Sequence, residues 1–333
     1  MIFLGIDFGC HIVQALLALL IVGFLTVVSL LKFYAYVTCG YFHDRVKMNG
    51  KTVIITGATG GIGKETAREL AKRGARVIMA CRNLDTAKNV RDEIVESTKN
   101  ENVVIKKLDI SSQKSVREFA EDVLRTETRL DVLIHNAGTG EKNFQKTEDG
   151  VELTMATNHF GPFLLTHLLI DLLKRSAPSR IVVVASELYR LSCLNLEKIN
   201  PSSCWFPPYL YYVSKYANIC FTLELARRLE GTNVTANCLH PGMVDSGIWR
   251  NTPTLLTWPV KLVVKVFFKK PVQGSQTSVF AACSEELEKV SGKYFMDCAE
   301  RGLSSGVLDA SKAKKLWELS ETIVNLRPTD PKI

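Results

Sequence analysis

The sequence predicts an α/β domain built on a doubly wound parallel sheet of about seven strands, preceded by an N-terminal apolar helix. Three observations carry this. Short apolar runs alternate with longer amphipathic stretches from Lys51 onward, a glycine-rich turn follows the first run, and an uncharged segment lies ahead of both.

The apolar runs are TVIIT (52–56), RVIMA (76–80), VVIKKLD (103–109), DVLIHNA (131–137), RIVVVAS (180–186) and NVTANCLH (233–240), with KYFMD (293–297) as a seventh. Several are nearly continuous in Val and Ile, as strands covered on both faces require. Stretches between them, such as GIGKETARELAKRG and SVREFAEDVLRTE, are long enough for helical crossovers. This alternation, without a low-complexity linker or a longer repeat, predicts one domain over 48–333.

The uncharged segment is Ile12–Leu31. Twenty helical residues rise ~30 Å, the thickness of a bilayer's hydrocarbon core. Met1–His11 carries only the charge of Asp7, and no small-x-small cleavage site follows the segment. An uncleaved anchor is therefore expected rather than a signal peptide, with 1–47 as anchor and juxtamembrane segment. Lys32, Arg45, Lys47 and Lys51 follow it, so the positive-inside rule places the domain in the cytosol. Tyr34, Tyr36 and Tyr41 suit an aromatic belt at the interface.

Composition narrows the partners. The net charge of +8 on 333 residues fits an anionic cofactor or an anionic membrane surface. No dense Lys/Arg block points to nucleic acid. Nine cysteines, an odd count without a CxxC pair, argue against a disulfide framework and a zinc site. Asn233-Val234-Thr235 matches a glycosylation sequon but falls in an expected core strand, so it is read as chance.

The first strand ends in TGATGGIG (56–63). Gly57, Gly61 and Gly63 there allow a tight turn and close backbone approach to a pyrophosphate, and the helix that follows offers free N–H groups. Thr59 and Ile62 in the same loop are further cofactor contacts. This makes the sheet Rossmann-type. At the end of the second strand a site for NAD usually carries Asp or Glu. Here Ala80 and Cys81 are followed by Arg82, a cation suited to a ribose 2′-phosphate. The expected cofactor is NADP(H), with Lys64 assisting.

YYVSK (211–215) places two tyrosines near Lys215 on a helix: Tyr211 at four residues and Tyr212 at three. Spacing by itself does not choose between them.

TGATGGIG, HNAG (135–138), TNHFGPFLLT (157–166), Ser186 at a strand end, YYVSK and HPGMV (240–244) together resemble the short-chain dehydrogenases/reductases in order and position. The resemblance spans roughly Gly50 to Phe295. NHFGPFLLTHLLIDLLKRSAPSRIVVVAS, MACRN, ELARRL and the N-terminal anchor look like the membrane-anchored retinol dehydrogenase branch. That resemblance implies NADP(H) and a lipophilic alcohol or carbonyl, retinol/retinal first and a steroid or farnesol-like lipid as alternatives. A non-catalytic cofactor-binding protein of membranes is the alternative outside enzymes. An endoplasmic reticulum membrane is the expected location, with lipid droplets as the other.

The resemblance also implies roles. Tyr211 would be the general acid/base, and Lys215 would lower its phenol pKa and bond the nicotinamide ribose. Ser186 would hold the substrate oxygen, and Asn158 would hold a water in the proton relay. Asp109, ending the third strand, would contact adenine. Asn136, Ala137 and Gly138 would line the adenosine side, and Pro241, Gly242 and Val244 would flank the nicotinamide. Two departures stand out: His135 replaces a frequent Asn, and Ala185 replaces a frequent Ser. His135 is expected to be structural.

After the Pro-Gly motif the family's chain covers the substrate site, here over about 245–275. Lys261, Lys265 and Lys269 are spaced by four, with Val260, Val263, Val264 and Phe267 largely opposite. This reads as an interfacial helix with its lysines towards lipid headgroups. Membrane lipid is thus an expected partner, and a homodimer is kept open. Trp205, Phe206, Pro207 and Pro208 precede the active helix and are candidates for an apolar pocket wall.

Overall fold

The computed structural model describes residues 16–20, 22–24, 26–30, 32–33, 37, 39–245 and 268–333. Strands β1 (Thr52–Thr56), β2 (Arg76–Cys81), β3 (Val103–Lys107), β4 (Val132–His135), β5 (Ser179–Val184), β6 (Val234–His240), β7 (Tyr294–Met296) and β8 (Ala299–Glu300) form one sheet. Its order is β3-β2-β1-β4-β5-β6-β7-β8. All neighbours are parallel except β7 and β8. The order reverses between β1 and β4, which opens a crevice at the carboxyl ends of the strands. The sheet has eight strands rather than about seven. The extra one is a two-residue edge strand closed by a tight turn at Asp297 and Cys298, whose φ angles are 55° and 57°.

Among the described residues six principal helices connect the strands, α1 (Gly61–Lys72), α2 (Leu84–Thr98), α3 (Gln113–Thr126), α4 (Gly161–Arg175), α5 (Pro208–Arg228) and α6 (Pro271–Cys283), and α7 (Ala310–Ile323) follows the last strand. Strand alternation sends side chains to two cores. Ile54, Ile78, Leu133, Ile181 and Ala236 point into one, with Phe119, Leu165, Phe221 and Trp317 from the helices. Val53, Ile55, Val77, Met79, Val132 and Val182 point into the other, with Leu70, Ile94 and Phe280. Both sheet faces are covered, which explains the unbroken Val/Ile runs. Burying each such side chain is worth about 1.5–3 kcal/mol. Asn83 and Ser112 cap α2 and α3 by accepting from Thr86 N–H and Ser115 N–H.

Ahead of the sheet, residues 16–20, 22–24, 26–30 and 32–33 are helical. Their Leu16, Leu17, Leu19, Leu20, Val22, Phe24, Val27, Leu30 and Phe33 side chains are exposed. Positions 12–15, 21, 25 and 31 of the expected anchor lie outside the described residues, and among those described no helix is long and apolar enough to cross a membrane. Further on, the chain packs against the domain. Phe42 meets the Phe280 ring edge-on at 5.5 Å between centroids and carries the Arg73 guanidinium 5.0 Å from its own. The eight cysteines of the described residues are free thiols. Asn233 is an exposed residue with φ of 57°, just ahead of β6, whereas Val234 and Thr235 of the sequon are buried in it.

Candidate active site

The glycine turn is built by close approach. Gly57 has a φ of 69°, and a Cβ there would lie 2.9 Å from Ala137 Cα. A Cβ at Gly63 would overlap Asn136 Nδ2 and Gly57 O. Asn136 Nδ2 ties the turn to β4 by donating to Thr56 O at 2.9 Å and Gly57 O at 3.1 Å. Thr56 Oγ1 accepts from the N–H groups of both Asn136 and Ala137 at 3.0 Å. Thr56 was not singled out in the sequence. Its signal is a strand-ending hydroxyl just before the first glycine.

Gly61 (φ 53°) opens α1, and a Cβ at Gly60 would meet nothing within 4 Å. The turn therefore faces open space with the α1 N-terminus aimed at it, which suits a pyrophosphate. Thr59 and Ile62 lie in that turn. Arg82 directly follows β2, is exposed, and has no ion pair among the described residues. Lys64 is turned away: its ammonium pairs with Glu93 of α2 at 2.6 Å. Asp109 lies two residues beyond β3 rather than ending it, and its carboxylate accepts from Ser111 N–H and Oγ.

On the other side of the crevice four residues converge. Ser186 follows β5 and caps a short 3₁₀ turn, Glu187–Leu191, by accepting from Leu188 N–H at 3.3 Å. Tyr211, in the first turn of α5, lies near Ser186, whose hydroxyl acts to lower the phenol pKa. One turn later Lys215, 3% exposed, donates to Val184 O at 2.8 Å with its ammonium 5.5 Å from the Tyr211 ring centre. Asn158 sits in a π-helical turn, Ala156–Phe160, ahead of α4. Its Oδ1 accepts from Thr139 N–H at 2.8 Å, and Nδ2 donates to Thr139 O and Ser214 Oγ. A Cβ at Gly138 would stand 3.5 Å from both Asn158 Oδ1 and Lys215 Nζ. Tyr212 is half-buried and packs edge-on against Tyr209.

Burial sets the charges here. It pushes the Tyr211 phenol up to about 12, against the opposing hydrogen bond from Ser186. It brings the Lys215 ammonium down to about 8. Burial outweighs the expected lowering of the phenol by Lys215, whose ammonium is held by the Val184 carbonyl 5.5 Å from the ring centre. His135 is brought by burial to about 3, and its Nε2 lies 2.8 Å from Thr166 Oγ1. It is a neutral packing residue.

After β6, Pro241 is buried and Gly242 has a φ of 90°. A Cβ at Gly242 would meet the Lys269 side chain at 2.9 Å. Val244 pairs with Lys269 in a short parallel bridge. Val244 also packs on Gly274 of α6, whose Cβ position lies 2.5 Å from it and 3.2 Å from Ile62. The Lys269 ammonium is ion-paired with Asp297 and mostly covered. It does not project towards a lipid surface as the four-residue lysine spacing suggested. Lys261, Lys265, Trp258, Val260, Val263, Val264 and Phe267 lie outside the described residues. Trp205, expected to line a pocket, is 96% exposed.

The crevice thus joins a glycine turn to a Ser–Tyr–Lys set on one sheet edge. The profile of the short chain dehydrogenases matches residues 51–255. The chain belongs to the short-chain dehydrogenases. Retinol dehydrogenase 14 of Mus musculus is 48% identical to this dehydrogenase over 291 residues, 84% of this chain and 87% of its own. Within the family the dehydrogenase lies in the retinol dehydrogenase-like branch. An uncharacterised protein from Mycobacterium paratuberculosis shares its fold with a TM-score of 0.68 at 32% identity, over 86% of this chain and 98% of that one. A short chain dehydrogenase of Escherichia coli CFT073, solved with NADPH, has the same fold with a TM-score of 0.61 at 22% identity, over 76% and 99% of the two chains. The dehydrogenase is an NAD(P)-dependent oxidoreductase acting on CH–OH donors.

Proposed function

We propose that this dehydrogenase interconverts a lipophilic alcohol and its aldehyde or ketone with NADP(H), retinol and retinal being the leading pair. The observation that carries this is the convergence of Ser186, Tyr211 and Lys215 at the strand edge beside the glycine turn. When bound, the nicotinamide supplies or accepts the hydride. Gly57, Gly61 and Gly63 would admit the pyrophosphate. The flanking contacts come from Thr59, Ile62, Asp109, Asn136, Ala137 and Gly138 at the adenosine end, and Pro241, Gly242 and Val244 at the nicotinamide end. NADP(H) over NAD(H) rests on Arg82, an exposed cation after β2 with no ion pair among the described residues, where no carboxylate stands.

The chain's own residues handle the proton. Ser186 donates to the substrate oxygen and steadies the charge that develops there. Tyr211, protonated at neutral pH, gives its proton to that oxygen in reduction and takes it back in oxidation. Lys215 stabilises the phenolate that reduction leaves, from 5.5 Å above the ring. Asn158 braces the loop around Thr139 against α5. One lone pair of its Oδ1 remains for a water beside Lys215.

The exposed apolar helix ahead of Cys39 is proposed as the membrane anchor, with the domain on the cytosolic side of the endoplasmic reticulum or on a droplet surface. The test is a microsomal assay of retinal, steroid and isoprenoid carbonyls with NADPH and NADH in parallel. Retinal with NADPH is expected to turn over fastest. Tyr211→Phe should lower kcat by at least about 100-fold while NADPH still binds. No turnover of any carbonyl alongside an active relative would sink the proposal.

A further inference from the structure

The N-terminal helix joins the domain at a particular place. Gly40 packs directly on Asp297, which follows β7 at the carboxyl end of the sheet, and Gly40 N–H donates to its Oδ1 at 3.4 Å. From there the chain runs down the outside of the domain. Phe42 N–H donates to Gln276 of α6, and Met48 N–H to Arg73 O at the far end of α1. The helix is therefore hung from the catalytic edge, not from the opposite edge where β1 begins. Val37 is helical and exposed, and Gly40 is three positions further on. Three extended residues span at most ~11 Å. Asp297 in turn holds Lys269, whose side chain lies 2.9 Å from the Cβ position of Gly242 at the nicotinamide flank.

Exposed apolar side chains stand on that same edge. Leu191 (63% exposed) and Trp205 (96%) lie in the connection from Ser186 to α5. Phe206 (47%) precedes that helix, Met243 (59%) follows β6, and Val272 (50%) opens α6. All five belong to segments that enter or leave the sheet at its carboxyl ends. Aromatic and aliphatic groups set around a crevice, next to an exposed apolar helix, match the interfacial zone of a phospholipid layer.

We propose that the carboxyl edge of the sheet is a membrane-docking face, on which Leu191, Trp205, Phe206, Met243 and Val272 enter the phospholipid interface that holds the N-terminal helix. The active-site crevice then opens onto lipid, and the enzyme draws carbonyls or alcohols dissolved in the bilayer in preference to those in water. This rests on the anchored oxidoreductase reading above, but its main readout does not depend on turnover.

The full chain is reconstituted in phosphatidylcholine–phosphatidylserine liposomes, with and without bromine on the acyl chains of the phosphatidylcholine. The fluorescence assigned to Trp205 is the difference between the wild type and Trp205→Phe. That difference should lose most of its intensity in brominated liposomes. Buried Trp317 serves as the internal reference and should not be quenched. An unquenched difference overturns the proposal. Shielding from aqueous acrylamide without bromine quenching also overturns it, and indicates a second copy of the chain over the edge. In a second arm, Trp205→Glu with Phe206→Glu should lower kcat/KM several-fold for bilayer-dissolved retinal and leave a short water-soluble aldehyde unchanged. Equal losses for both substrates would refute lipid entry. Absence of all turnover, with Trp205 quenched, would instead fail the enzymatic reading and leave the docking face standing.

Discussion

The Lys215 ammonium lies 5.5 Å from the centre of the Tyr211 ring while it donates a 2.8 Å hydrogen bond to Val184 O. The cation is thus fixed by β5 rather than by the phenol it serves. Burial disfavours the charge of each group, so Lys215 falls to about 8 and Tyr211 rises to about 12.

This sets a pH profile for reduction, which needs a protonated phenol and a charged lysine. The phenol keeps its proton across the neutral and mildly alkaline range, while the ammonium loses its own near 8. With saturating NADPH, kcat/KM should be level on the acid side of that value and fall above it. Rates measured from about pH 6 to about pH 10 check this, and a rise throughout would contradict it. Lys215 also contributes to stability with a definite sign. An unfolded lysine keeps its proton to about 10.5, so the unfolded chain binds more protons between about 8 and 10.5, and this group's share of stability rises with pH there.

Gly63→Ala tests the turn. The added methyl would overlap Asn136 Nδ2 and Gly57 O, so either the clamp from β4 or the turn itself must shift. A loss of about 2 kcal/mol or more is expected, with weaker NADPH binding. Thermal unfolding and a cofactor fluorescence titration measure the two effects. Unchanged values in both would mean that the turn has more room than the packing shows.

Arg82→Ala tests the cofactor preference. Removing a cation that meets a phosphate should raise KM for NADPH about 10- to 100-fold. KM for NADH should hardly change, because NADH has no group there to lose a contact. Equal effects on the two cofactors would remove Arg82 from the ribose site.

Asp297→Asn tests the support under Gly242. Lys269 would be left mostly covered without its carboxylate, at an expected loss of about 1–3 kcal/mol. As Lys269 packs on Gly242, KM for NADPH should rise while kcat changes little, and Asp297→Glu should restore part of it. A fall in kcat with KM unaltered would assign the pair elsewhere.

Much of this fold was legible in the sequence because its signals are local. Strands covered on both faces read as short apolar runs, several nearly continuous in Val and Ile, and seven of the eight strands were legible as such runs. The glycine turn announces itself because only glycine fits where backbones from β1 and β4 meet. β8 escaped because it is two residues long, and its turn uses Asp297 and Cys298 at positive φ where a glycine would have signalled it.

The sequence by itself determined the strand–helix alternation, the glycine turn, and the residue types that share the helix face of Tyr211 and Lys215. Each follows from periodicity or steric need within a few residues. Only the tertiary structure decided where Lys215 points, that Lys64 is spent on Glu93, and that Lys269 answers Asp297 rather than solvent. It also decided that Trp205 stands bare on the catalytic edge and that Gly40 hangs the N-terminal helix from that edge. These relations join residues distant in the chain, through packing that no local pattern encodes.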